Sequence, residues 1–387
     1  MSGRSSFPPG GETLLAGTAV VFYAALVPLI PVGGYETSAE PQAAGALAAI
    51  AAAVFPAGDG ASRGRLAAVF AAAIGLSLVA RFAGEGAAAR SARGGHPHGE
   101  GSDGLAGLAA TGVVAVATGY LALATRSAPG AVSVTVVAGA LLLMVRVAQD
   151  PGAGRSGLVL GVCAGLCAGE DGAAAAVAWP PAAAVTLWAL RRGERWPLVA
   201  PLAFAAGSGA SLALAVGTWT GAPPAPLVYI AHALSLGPLR EALSSWWVGL
   251  PSSGLPSSVL PSSGLPSALS SVLGLGLVLG REMGMVASLL ALVGVAVLFG
   301  RRPGSAILVL WTAAAGLTVA AASRAAGMDG RTAFSLATVA LAPAIAAGIS
   351  ALSAVMGRAR LATTAALGII ALVEPVFGSV AALFPRR

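Results

Sequence analysis

Glu36 and Glu40 stand in the stretch Gly33-Gly-Tyr-Glu-Thr-Ser-Ala-Glu-Pro41, between two apolar segments, Thr13 to Val32 and Pro41 to Phe55. A carboxylate at the edge of a membrane can serve as general base on an acceptor hydroxyl, because partial desolvation lifts its pKa toward ambient pH. The same two acids can form a water-facing turn, with Glu40 ahead of Pro41 meeting the dipole of a helix start. Glu170-Asp171 is a second acidic pair, set inside an apolar stretch that runs from Gly157 to Leu190. Charge there is costly and points to a site; alternatively the stretch breaks at the surface and the acids cap the helix that follows. Gly169 and Gly172 permit either. His96-Pro-His98-Gly-Glu100 has metal-ligand types at i, i+2 and i+4, but no further ligand lies nearby, and the segment reads as a loop. His232 is isolated, no Walker loop or Ser/His/Asp set is discernible, and no metal or other cofactor is assigned.

These groups must be positioned by elements that live in lipid. The chain has 387 residues, 57% hydrophobic and only 10% charged, against roughly 25% charged in a soluble domain. Repeated apolar runs of about 20 residues, ended by Arg or by Pro and Gly, define an all-α polytopic integral membrane bundle. All 22 basic residues are arginine, and the net charge of +7 belongs to loop orientation and to anionic headgroups rather than to nucleic acid. Cys163 and Cys167 lie four apart in one apolar segment, so they read as free thiols on one helical face. Thr13 to Val32 is too long for a signal-peptide core and reads as a retained span.

Segment lengths give about eleven spans when 157–190 is counted as one crossing. Three regions follow: 1–217, an N-terminal membrane region; 218–280, an extracytoplasmic Pro/Ser-rich insert; and 281–387, the C-terminal spans. The insert carries Trp246-Trp247 and then Leu-Pro-Ser-Ser units at Leu250, Leu255 and Leu260. Proline at every fifth position forbids a regular helix there. The compact clusters Arg191-Arg192-Gly-Glu-Arg195, Arg301-Arg302 and Arg358-Ala-Arg360 share one face, which the arginine rule makes cytoplasmic. On this count the Arg63/Arg65 loop is also inside, while the acidic first loop, the histidine loop and the insert are outside.

The order of segments resembles a bacterial membrane family of unassigned function that is similar to the protein O-mannosyltransferases of the GT-C glycosyltransferase superfamily. Thr37-Ser38-Ala39-Glu40 falls where that family has an Asp-Ser-Gly-Glu-like motif, and Phe55-Pro-Ala-Gly-Asp-Gly-Ala-Ser-Arg63 is similar to its Pro-Val-Gly-Asp turn. Gly161 to Pro181 resembles its helix break, and Arg281-Glu282-Met283-Gly284 through Arg301-Arg302 a late span that begins with a Glu. The first-loop motif is degenerate: Thr37 replaces the expected Asp, Gln42-Ala-Ala-Gly45 the His-Pro-Pro-Gly segment, and Glu170-Asp171 the Asn-His of the break.

The resemblance implies a GT-C-like bundle in a bacterial cytoplasmic (inner) membrane that transfers a sugar from a polyprenyl-phosphate donor to an extracytoplasmic acceptor. In that reading Glu36 or Glu40 is the base, and Arg81, Glu170 and Asp171 bind substrate. Arg63 is set aside because it falls on the inner face. The alternative is a catalytically inactive relative acting as a membrane scaffold or lipid-binding partner. A transporter using Glu170-Asp171 as a midplane coupling site ranks third.

Overall fold

A computed structural model describes residues 11–27, 60–87, 100–126, 128–170, 172–217, 279–325 and 331–383. Among the described residues the regular structure is entirely helical. In hydrocarbon a helix satisfies its backbone groups internally, which is why apolar runs of this length adopt it. The helices are α1 (Gly11–Leu26), α2 (Gly60–Ala87), α3 (Glu100–Val116), α4 (Thr118–Arg126), α5 (Ala128–Gln149), α6 (Gly154–Glu170), α7 (Gly172–Arg191), α8 (Ala200–Gly217), α9 (Met285–Arg301), α10 (Pro303–Ala325), α11 (Arg331–Val355) and α12 (Arg360–Leu383). Five are long and apolar enough to cross a membrane, and α3 with α4, bent by 68° at Ala117, makes a sixth as one broken span. Leu14–Leu26, Gly154–Cys167 and Met285–Arg301 are shorter apolar helices. The polytopic all-helical class therefore holds. The figure of about eleven spans draws in part on segments outside the described residues, such as 41–55.

α11 is the central element. Of its span 78% is buried, against 22% for the Arg360–Ser379 span of α12, which turns its outer face to lipid. Buried positions on α11 run without interruption from Ser335 to Ser350. α11 packs closely on α9 and α10, and α2 packs on α5. The α9–α11 crossing is a backbone contact: a Cβ at Gly294 would stand 1.6 Å from Ala344 O, and one at Gly348 only 2.1 Å from Leu290 O. Small residues at such a crossing admit the dispersion contacts that hold membrane helices together.

Two polar ties fasten one end of the bundle. Arg146 on α5 forks onto Glu85 of α2, with Nε donating to Oε2 at 2.9 Å and Nη2 to Oε1 at 2.6 Å. Arg302 Nη1 and Gln149 Nε2 both donate to Glu85 O. Asp103 Oδ1 on α3 accepts from Arg360 Nη2 at 2.8 Å and from Ser350 Oγ at 3.0 Å. These contacts gather the C-terminal ends of α2, α5, α9 and α11 with the starts of α3, α10 and α12. Ala189 of α7 shares an apolar cluster with Val147 and Trp196, and Trp196 Nε1 donates to Pro151 O, so the Arg191–Arg195 turn lies at this end too. The three arginine clusters therefore do share one end.

The chain's path to that end differs from the sequence expectation in one respect with wide consequences. Residues 157–190 are a hairpin rather than a single crossing. α6 and α7 fold back on each other about position 171, with Trp179 Nε1 donating to Ala164 O at 2.8 Å. One extra crossing inverts every segment before it, and with 41–55 counted as a span this carries the acidic first loop to the arginine end. α2 runs parallel to α5, as Thr135 Oγ1 to Ala71 O at mid-length and Arg146 to Glu85 at the ends require. Arg63 and Arg65 at the start of α2 therefore lie opposite the arginine clusters. Ala87 and Glu100, which flank the histidine segment, lie beside them. Apolar length alone does not choose between one crossing and two; of the two readings left open for this stretch, the break between two short helices is the one that holds, and the count of one crossing does not.

Candidate functional site

The predicted site residues are not drawn into one constellation among the described residues. Glu36, Glu40 and Asp171 lie outside the described residues, as do His96, His98 and the 218–278 segment. Glu170 is the last residue of α6, at the tip of the hairpin and opposite the arginine end. Arg81 is partly buried on α2, one turn before Glu85, so it sits at the arginine end and not with Glu170. Arg81 and the Glu170 end of α6 thus stand at opposite ends of the bundle. Among the described residues no three of His, Cys, Asp and Glu converge as metal ligands.

A polar junction that sequence reasoning did not single out forms where two helix breaks meet. The first break is at Ala117, between α3 and α4. The second is at Gly284, between the helical turn 279–283 and α9, where φ is +84°. A left-handed residue at this point requires glycine, and a Cβ there would also press on Pro375 Cδ at 2.9 Å. Each break leaves backbone N–H groups without intrahelical partners. Glu282 Oε2 accepts from Gly119 N at 2.8 Å, in the first turn of α4. Glu374 Oε2 on α12 accepts from Met285 N at 2.6 Å, at the start of α9. Both carboxylates thus occupy the positive end of a helix that another element begins. Ser379 Oγ donates to Val116 O and pairs with Thr118 Oγ1 at 3.2 Å, closing the C-terminal side of the first break.

Ser335, on α11 beside Arg331, is 1% exposed, and its Oγ has no hydrogen-bond partner. A point 1.5 Å from Gly119 Cα, where a Cβ would stand, is 3.1 Å from that hydroxyl and 3.7 Å from Glu282 Oε2. Glu282 was visible in the sequence as the acid that opens a late span, but its partner is 163 residues away. Ser335 reads from sequence as one more small residue in an apolar helix.

No family model matches the chain, and no curated protein matches its sequence. Among solved structures it is similar to a crystal structure of an oligosaccharyltransferase from Archaeoglobus fulgidus in complex with zinc and sulfate. Identity is 17% and the TM-score 0.45, over 92% of this chain and 45% of that one, so the chain spans under half the length of that protein.

Proposed function

We propose that the chain is a membrane glycosyltransferase-like protein of GT-C-like arrangement, which transfers a sugar from a polyprenyl-phosphate donor to an acceptor at the end of the bundle opposite the arginine clusters. Glu36 or Glu40 is the base, which takes 41–55 as a segment that does not cross. The observation that carries this reading is how the other acids are used. Glu85, Asp103 and Glu282, part-buried in the bundle, and Glu374, exposed on α12, each hold a named partner. Base chemistry therefore falls to the acids of the first loop, in the segment that resembles the acidic motif of the superfamily. The hairpin correction also bears on the donor: Arg63 and Arg65 come to the same end as Glu170, and they replace Arg81 as the cations for a lipid phosphate. A guanidinium suits that task because it forks onto two phosphate oxygens.

One observation favours a second reading, an inactive relative serving as a scaffold or lipid-binding partner. Thr37 stands where the resembled motif has its Asp, and the acids in the bundle act as fasteners. The two readings separate in proteoliposomes supplied with radiolabelled polyprenyl-phosphate sugar and a peptide or glycan acceptor. Transfer by the wild type, reduced at least a hundredfold in either Glu36→Gln or Glu40→Gln, is the expected result for loss of a general base. Equal transfer in all three rejects the assignment. No transfer by the wild type, with a partner that co-purifies in stoichiometric amount, selects the scaffold.

A further inference from the structure

The arginines at one end of the bundle are of two kinds. Arg146 and Arg360 are ion-paired, to Glu85 and Asp103, and tie helices together. Arg155 in the first turn of α6, and Arg191, Arg192 and Arg195 at the end of α7, are exposed. Among the described residues none of these four is ion-paired. Their placement is fixed by a stiff corner. Trp196 Nε1 donates to Pro151 O at 2.8 Å, and its ring lies where a Cβ on Gly157 would come within 2.4 Å. At the end of α7, Gly193 takes φ +83°, which an L side chain resists, and Glu194 N donates to Ala189 O across the turn. The start of α6 and the turn after α7 therefore meet: a Cβ on Gly152 would lie 3.7 Å from Glu194 Oε1. The four guanidiniums share this corner with two carboxylates, Asp150 and Glu194, and Asp150 Oδ1 already accepts from Gly152 N.

Two further observations define the anion that suits this corner. Arg192 Cζ stands 5.1 Å from the centre of the Trp188 ring, and a guanidinium stacked on an aromatic face keeps its in-plane N–H donors open to oxygen. Just after Arg195, Leu198 and Leu202 are 69% and 70% exposed and Val199 is 46% exposed, an apolar surface that a water-soluble anion would leave bare. A phospholipid supplies both partners, a phosphate for the guanidiniums and acyl chains for the leucines. We propose that this corner is a binding site for an anionic phospholipid of the leaflet at the arginine end, with its headgroup phosphate between Arg155 and the Arg191–Arg195 turn and its chains along Leu198, Val199 and Leu202. The positive end of the α6 dipole, at Gly154, favours the same charge. A zwitterionic headgroup suits the corner less, since its own cation meets an excess of arginine. The site lies at the end opposite Glu170, so it is separate from the donor site of the proposed transferase and does not rest on that reading.

Native mass spectrometry of the full chain in detergent, titrated with phosphatidylglycerol or phosphatidylcholine, tests this. The first phosphatidylglycerol should bind about tenfold more tightly than phosphatidylcholine. Arg192→Gln combined with Arg195→Gln should weaken it by about fivefold for each arginine removed. Arg301→Gln, which removes an exposed arginine elsewhere at the same end, should leave it within about twofold. Melting curves without added lipid check that the variants fold. In the wild type a photoactivatable phosphatidylglycerol should crosslink within residues 187–202, and inorganic phosphate should not displace it. Equal affinity for the two lipids overturns the proposal, as does a wild-type crosslink that falls wholly elsewhere. A loss per arginine in Arg301→Gln as large as in the double variant reduces the effect to net charge and overturns the corner. Displacement by inorganic phosphate assigns the arginines to a soluble anion and overturns the lipid. None of these outcomes depends on whether the protein transfers sugar.

Discussion

Glu85 shows what one acid does in a bundle that has few of them. Its carboxylate takes both forks of Arg146 while its backbone carbonyl takes Arg302 and Gln149, so a single residue ties α2 to α5 and to the α9–α10 corner. The pair is partly open to water, with side chains 24% and 36% exposed, so its worth is set by the hydrogen bonds rather than by bare charge attraction. We expect Arg146→Ala to lower stability by about 1–2 kcal/mol, read as a fall in Tm in detergent of roughly 1–3 °C for a chain of this length. Glu85→Gln should cost less, because the amide oxygen still accepts one of the two Arg146 donors. An unchanged Tm in Arg146→Ala would mean that the fork is ornamental. This residue-level role was not legible in the sequence. Glu85 and Arg146 are 61 positions apart, and nothing near either one marks the other.

At the scale of elements, the apolar pattern told most of the story. Lipid imposes one solution on a long apolar run, so α2, α5, α10, α11 and α12 could be placed from composition alone. What it could not give is how close two helices come. Gly294 and Gly300 lie on the same helix, yet a Cβ at Gly294 collides with Ala344 O at 1.6 Å, and one at Gly300 meets nothing within 4 Å. Gly294→Ala should therefore force α9 away from α11 and cost about 3 kcal/mol or more, while Gly300→Ala should be neutral or stabilise slightly through helix propensity. Parallel thermal melts of the two variants check this. Equal melting points would contradict the close crossing. The breaks at Ala117 and Gly284 were also hidden, since each is made by residues remote in sequence, Ser379 with Glu282 for the first and Glu374 for the second.

For the whole molecule, a single local feature decides which end each loop occupies. Reading 157–190 as one crossing instead of the α6–α7 hairpin kept the C-terminal half correct and inverted α2, α3, α4 and α5. The arginine clusters at Arg191–Arg195, Arg301–Arg302 and Arg360 survived that error because all of them follow the hairpin. The functional proposal depends on where the first loop falls relative to them. It requires Glu36 and Glu40 at the far end, with Glu170, Arg63 and Arg65, and therefore requires that 41–55, counted as a span from its length, does not cross. Side-specific thiol labelling measures this directly. In a Cys163→Ala, Cys167→Ala background in sealed vesicles of defined orientation, single cysteines replace Ser38 in the first loop and Gly193 in the arginine turn. An impermeant maleimide should reach Ser38→Cys from the outer side only and Gly193→Cys from the cytoplasmic side only. Labelling of both from the same side would contradict the account, because the acids would then face the cytoplasm and could not serve an acceptor outside it.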